Sequence, residues 1–168
     1  FYDTEPVTII GKRIRYKEDG KEYKAQGVSL EGQAADWFQH ILPLRDGDLS
    51  YKLASGFIDI GLPFVPKTAF EEDPAPDHLA YIEYKISNDD AINSVEGARY
   101  YYGWIPNTAY PGGGLASTVA PFTGMGTDLG VLAAPSDATW GTKVFAHELM
   151  HVWQLGHIGL GDSCGAYE

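Results

Sequence analysis

Residues 144–159, VFAHELMHVWQLGHIG, constrain the fold more than any other part of the chain. Phe145, Leu149, Val152 and Trp153 recur at helical spacing and make one apolar face. His147 and His151 are four residues apart, so on a helix they share a second face. The spacing predicts an amphipathic helix that begins near Thr139 or Trp140. Such a helix has to lay its apolar side on a core built by the rest of the chain.

The polar face carries the chemistry. Two imidazoles at this spacing can both reach one Zn²⁺ at about 2.1 Å. Glu148 lies one step round the helix, within reach of a water on the metal. Zinc lowers the pKa of such a water, and Glu148 is placed to take its proton during attack on a peptide carbonyl. A chance H-E-x-x-H falls in roughly one of several hundred chains of this size, so a helix with two incidental histidines is the weaker explanation.

His157 is the first choice for a third ligand. In a continuous helix it would lie about 100° off the shared face and about 9 Å beyond His151. It reaches the metal only if the helix ends first, and Gly156 tolerates the left-handed turn this needs. Asp162, Glu168, a water and a ligand outside this chain are the alternatives.

Upstream, KRIRY and KEYKA flank Asp19-Gly20, a hairpin signal, and residues 7–28 are expected as strands. GKRIRYK alternates with apolar residues and reads as one strand face rather than a basic cluster. SLEGQAADWFQHIL has helical periodicity, ended by Pro43. GFIDIGLPFVP is expected to hold a strand and a turn. LAYIEYKIS alternates and is expected as a strand. NDDAINSVEGARYYY is expected to be capped at Asn88 or Asp89 and to form a short helix. From Gly103 to Thr139 the chain is rich in small residues, and short strands are expected at LASTVA and LGVLAA between loops. LGVLAAP or GGLASTV is the expected sheet edge for an extended peptide, because small side chains let a second backbone approach.

Other signals are weaker. DGDLS opens like a calcium loop but lacks the glycine and glutamate such a loop needs, so a solvated turn is expected. Glu71, Glu72, Asp73 and Asp77 have the donors for a structural Ca²⁺, although a solvated acidic loop is the ordinary reading. GMGTDLG has misplaced glycines for a dinucleotide loop. His40 and His78 are lone histidines, and Cys164 is expected as a plain thiol. No G-x-S-x-G supports serine hydrolysis.

The 168 residues suit one domain. A net charge of -11 argues against a nucleic-acid partner and an anionic membrane surface. No run reaches the length of a membrane span. With one cysteine, no disulfide forms within the chain. It begins at Phe1 without Met, which fits removal of a leader or a piece of a longer protein.

The spacing H-E-x-x-H-x-x-x-x-x-H resembles the metzincin family of zinc endopeptidases. The wider pattern YYGWIPNTAYPGGGLAS…VFAHELMHVWQLGHIGLGDSCG looks like bacterial secreted peptidases of metzincin type. The likeness spans residues 100 to 165, about the last two-fifths of the chain. Where the family has Gly three residues after the second histidine, this chain has Gln154, and no Met follows His157 to form the family's Met-turn. HELMHVWQ is also similar to bacterial zincin-like domains that carry His-Val-Trp-Gln.

The resemblance implies an α+β, zincin-like fold: a mixed, twisted sheet on two or three helices, with the zinc helix near the C-terminus. It implies one catalytic domain over residues 1–168, lacking or truncated in its C-terminal subdomain. It also implies a secreted zinc endopeptidase acting on peptides or proteins, with His147, His151 and His157 as zinc ligands and Glu148 as general base. The competing expectation is a zincin-like binding or structural module that turns over nothing.

Overall fold

The computed structural model describes residues 6–26, 47–60, 75–89, 100–106, 114–117, 123–128 and 140–153. They form an α+β arrangement of six strands and two helices. In chain order these are β1 (Val7–Glu18), β2 (Lys21–Lys24), β3 (Leu49–Ile60), α1 (Ala75–Ser87), β4 (Tyr100–Ile105), β5 (Gly114–Ala116), β6 (Thr123–Thr127) and α2 (Trp140–Val152).

The strands make one mixed sheet around β1. β3 runs parallel to β1 along one side, from Val7↔Leu49 to Tyr16↔Ile60. On the other side β1 pairs first with parallel β4, Ile9↔Tyr100 to Arg13↔Trp104, and then with antiparallel β2, Arg15↔Lys24 to Glu18↔Lys21. Parallel β6 follows β4, and antiparallel β5 is the last strand on that side among the described residues. The β1–β2 hairpin closes as expected at Asp19 and Gly20. Both have positive φ, 49° and 76°, as a turn matched to strand twist requires.

Strand alternation splits the core into two faces. Ile10, Ile14, Tyr16, Ile58, Ile60, Ile105 and Met125 meet Leu79, Ile82 and Ile86 of α1. Ile9, Leu49, Tyr102 and Trp104 meet Phe145, Leu149 and Val152 of α2. The helices therefore cover opposite faces, and each large apolar side chain so buried contributes about 1.5–3 kcal/mol. Lys12 lies on the α1 side at 4% exposure. Its Nζ donates to the Ser55 carbonyl at 2.5 Å and pairs with Asp89 at 2.7 Å. Opposite Lys12, the register jumps from Gly11↔Leu53 to Arg13↔Phe57, and Gly56 takes a φ of 77° in the bulge.

LAYIEYKIS is a helix, not the expected strand. Its residues carry two superposed patterns, and burial follows the helical one, Leu79, Ile82 and Ile86. A strand would put Tyr84 on the same face as Ile82 and Ile86, yet Tyr84 is 62% exposed. Pro76, in the first turn, is compatible with a helix start. Asn88 caps the end of this helix, its side-chain amide donating to the Tyr84 carbonyl at 2.7 Å.

Three further differences concern strands. β3 starts earlier than GFIDI, straight after the turn at Gly47, where the Asp48 carbonyl accepts the Val7 amide at 2.6 Å. YYYGWI is β4 rather than a helix end. TGMGT is β6, buried along its whole length, rather than part of a loop. The expected helix at 29–42, the one after Asp89 and the strand LGVLAA lie outside the described residues.

Candidate metal centre

The site is built on a floor with almost no side chains. On the α2 side of the sheet, β5 and β6 present Gly114 opposite Gly126 and Ala116 opposite Gly124. A methyl at Gly114 would overlap the Met125 carbonyl and lie 2.5 Å from Glu148 Cγ. A methyl at Gly126 would overlap the Tyr102 hydroxyl and lie 2.6 Å from Val144 Cγ1. These positions lack a Cβ because the helix occupies that space. The small residues that read as loop punctuation are the seat of α2.

An aromatic cluster fixes the helix from its other flank. Phe145 stacks on Trp104, with centroids 5.3 Å apart and planes at 10°. It meets Tyr102 at 4.7 Å and Tyr51 at 5.9 Å edge-on. Trp104 Nε1 donates to the Tyr51 hydroxyl at 2.6 Å, and Gly11 leaves room for the Tyr51 ring. Tyr100 packs edge-on against Trp153 at 5.4 Å.

On this seat α2 holds His147 and His151 as expected. Their Nε2 atoms approach to 3.1 Å, with the rings nearly perpendicular at 87°. Both rings are half-buried at the flank of the helix. At 3.1 Å one ring nitrogen can donate its proton to the other. A metal ion about 2.1 Å from both nitrogens would see them at ~95°, which a distorted tetrahedral zinc site accepts. As two of the three protein ligands of an open zinc site, the pair fits.

Glu148 lies about 60° round the helix from His151, towards the sheet. It is 4% exposed, with its Cγ and Cδ directed at Gly114. Burial raises its pKa from the ordinary 4.5 to about 8, because a carboxylate loses hydration there. Tyr102, fully buried beneath the helix, has its phenol pushed well above the ordinary value, first by burial and then by Glu148 and Tyr51. Its hydroxyl has no hydrogen-bond partner among the described residues.

The helix ends at Val152. The Trp153 amide is shared between the Leu149 and Met150 carbonyls at 3.1 and 3.2 Å, a tightened last turn. The described helix thus closes at Val152, and the path of the chain to His157 lies outside the described residues. His157, Asp162, Cys164 and Glu168 lie outside the described residues, as do His40, Glu71, Glu72 and Asp73. Asp77 and His78 fall in the first turn of α1. Among the described residues, no group of three His, Cys, Asp or Glu side chains is placed to hold a metal.

Sequence reasoning singled out His147, Glu148 and His151 but missed Tyr102 and the glycine seat. The available signal was the period-2 repeat of glycine in TGMGT, which in a strand puts both glycines on one face. No family model matches the chain, and neither the curated proteins nor the solved structures contain a significant match.

Proposed function

We propose that the chain is a zinc-dependent endopeptidase. The observation that carries this reading is the convergence of the His147 and His151 Nε2 atoms at 3.1 Å beside a buried carboxyl group. His147 and His151 supply two ligands, and His157 is the proposed third. Bound zinc supplies Lewis-acid polarisation of a carbonyl and acidifies a water.

The chain's own residues do the rest. Glu148 accepts a proton from the attacking water and returns it to the leaving amine. A carboxyl whose pKa lies near neutrality both takes and gives up protons readily. Coulomb attraction to a cation held by the imidazoles counters the rise that burial causes. Among the described residues β5 is an edge strand, beside Glu148, so an extended peptide pairing along it would pass the site. This supports peptides or proteins as substrates and the described part of GGLASTV as a docking strand, while LGVLAAP lies outside the described residues. No helix among the described residues is long and apolar enough to cross a membrane.

The competing reading, a zincin-like binding or structural module without turnover, is favoured by the depth of Glu148, which leaves its carboxyl little contact with water. Zinc stoichiometry and peptide-library cleavage, on wild type and Glu148→Ala, separate the two. The endopeptidase reading expects one zinc in both proteins and cleavage in wild type alone. Zinc without cleavage in wild type sinks it, and absence of zinc sinks the endopeptidase and any zinc-binding module alike.

A further inference from the structure

The structure assigns Tyr102 a role that the zinc motif does not announce: we infer that its hydroxyl is the buried donor that positions the Glu148 carboxyl group. Tyr102 comes from the middle of β4, directly under α2. Its ring edge lies 3.1 Å from where a Gly124 Cβ would stand, and Glu148 Cβ lies 3.4 Å from the same point. From there the two side chains run the same way. The Tyr102 hydroxyl ends over Gly126. The Glu148 carboxyl carbon ends over Gly114, 2.8 Å from its absent Cβ. Gly114 and Gly126 are direct cross-strand partners, so these two points are about 5 Å apart. A phenol and a carboxyl therefore end over one glycine pair, in a space that the missing Cβ atoms keep open.

The donor is also uncommitted. Tyr102 is 0% exposed, and its hydroxyl has no partner among the described residues. An unpaired buried hydroxyl costs stability, and phenylalanine would fill the same volume without that cost. Glu148 and Tyr51 are the ionisable groups that act on it. Tyr51 already accepts from Trp104. Of the two, Glu148 carries a carboxyl group on a side chain only 4% exposed, which a donor beneath it would stabilise. Rotation of Glu148 side-chain torsions over the glycine floor is the movement that would bring one carboxyl oxygen to the phenol. Tyr102 is then a positioning residue. It narrows the orientations open to the carboxyl group and, on the proposed endopeptidase reading, aims the proton acceptor.

A double-mutant cycle tests this in the full-length, metal-free chain. Tyr102→Phe is made in wild type and in a Glu148→Met background, and urea unfolding is measured at one fixed pH. A hydroxyl that donates to Glu148 makes Tyr102→Phe lower the folding equilibrium constant about tenfold in wild type, with no loss in the Glu148→Met background. An idle hydroxyl makes Tyr102→Phe neutral or stabilising, equally in both backgrounds, and that result overturns the inference. A second readout uses the zinc-loaded chain. There Tyr102→Phe is expected to lower kcat about tenfold, with KM and zinc stoichiometry unchanged. If wild type cleaves nothing but the cycle shows coupling, the endopeptidase reading fails and the Tyr102–Glu148 pair stands. If wild type cleaves and the cycle is additive, the pair fails and the enzyme reading stands.

Discussion

Glu148→Gln in the metal-free protein should reverse an ordinary expectation and stabilise a chain by altering its proposed catalytic base. Glu148 has its pKa raised from 4.5 to about 8 by burial. A carboxyl with a raised folded-state pKa favours folding fully below its unfolded pKa. That contribution drains away as pH rises from 4.5 and is gone above about 8. At 1.36 kcal/mol per unit, the interval is worth on the order of 5 kcal/mol. Glutamine keeps the shape and cannot ionise. In the metal-free chain the two proteins should unfold at similar urea concentrations near pH 4. By about pH 9 the Glu148→Gln protein should lead by ~2 M urea, taking a slope of ~2 kcal/mol/M. Tryptophan fluorescence follows the transition, and comparing the two proteins cancels every other titration. Zinc should shrink the gap, because a cation beside the carboxylate restores its stability. A gap that stays constant from about pH 4 to about pH 9 would refute the claim that burial governs this carboxyl.

The glycine seat predicts a graded series. Gly114→Ala and Gly126→Ala should each cost about 2–3 kcal/mol by chemical denaturation, and Gly124→Ala, whose nearest neighbour stands at 3.1 Å, about 1 kcal/mol. Equal, small losses at all three positions would mean that α2 does not sit as closely as described. Lys12→Met should cost about 3 kcal/mol, because Asp89 loses its lysine and the Ser55 carbonyl its donor. A loss below about 1 kcal/mol would show that the bulge in β3 holds without this amine.

Legibility in the sequence tracked how local each cause was. Asp19-Gly20 announces a turn because the two positive φ values are a property of those residues. α2 was legible because its apolar stripe and its histidine pair both repeat at helical spacing over thirteen residues. α1 was misread because Leu79–Ile86 satisfies period 2 and period 3.6 together, and only the partner across the interface chooses between them. β4 and β6 were missed because a strand buried on both faces has no alternation to display, and glycine within it looks like a break.

The candidate site divides along the same line. The sequence alone determined that His147 and His151 share a face with Glu148 one step away, since helix geometry needs nothing beyond the chain itself. Only the tertiary structure decided how near that face lies to the sheet. Three positions without a Cβ, on two strands distant from α2 in sequence, let the helix descend until Glu148 is out of water and Tyr102 is beneath it. Spacing along a chain specifies which groups can meet a metal. The dielectric around the carboxyl depends on what the fold packs against it, and that set its pKa here.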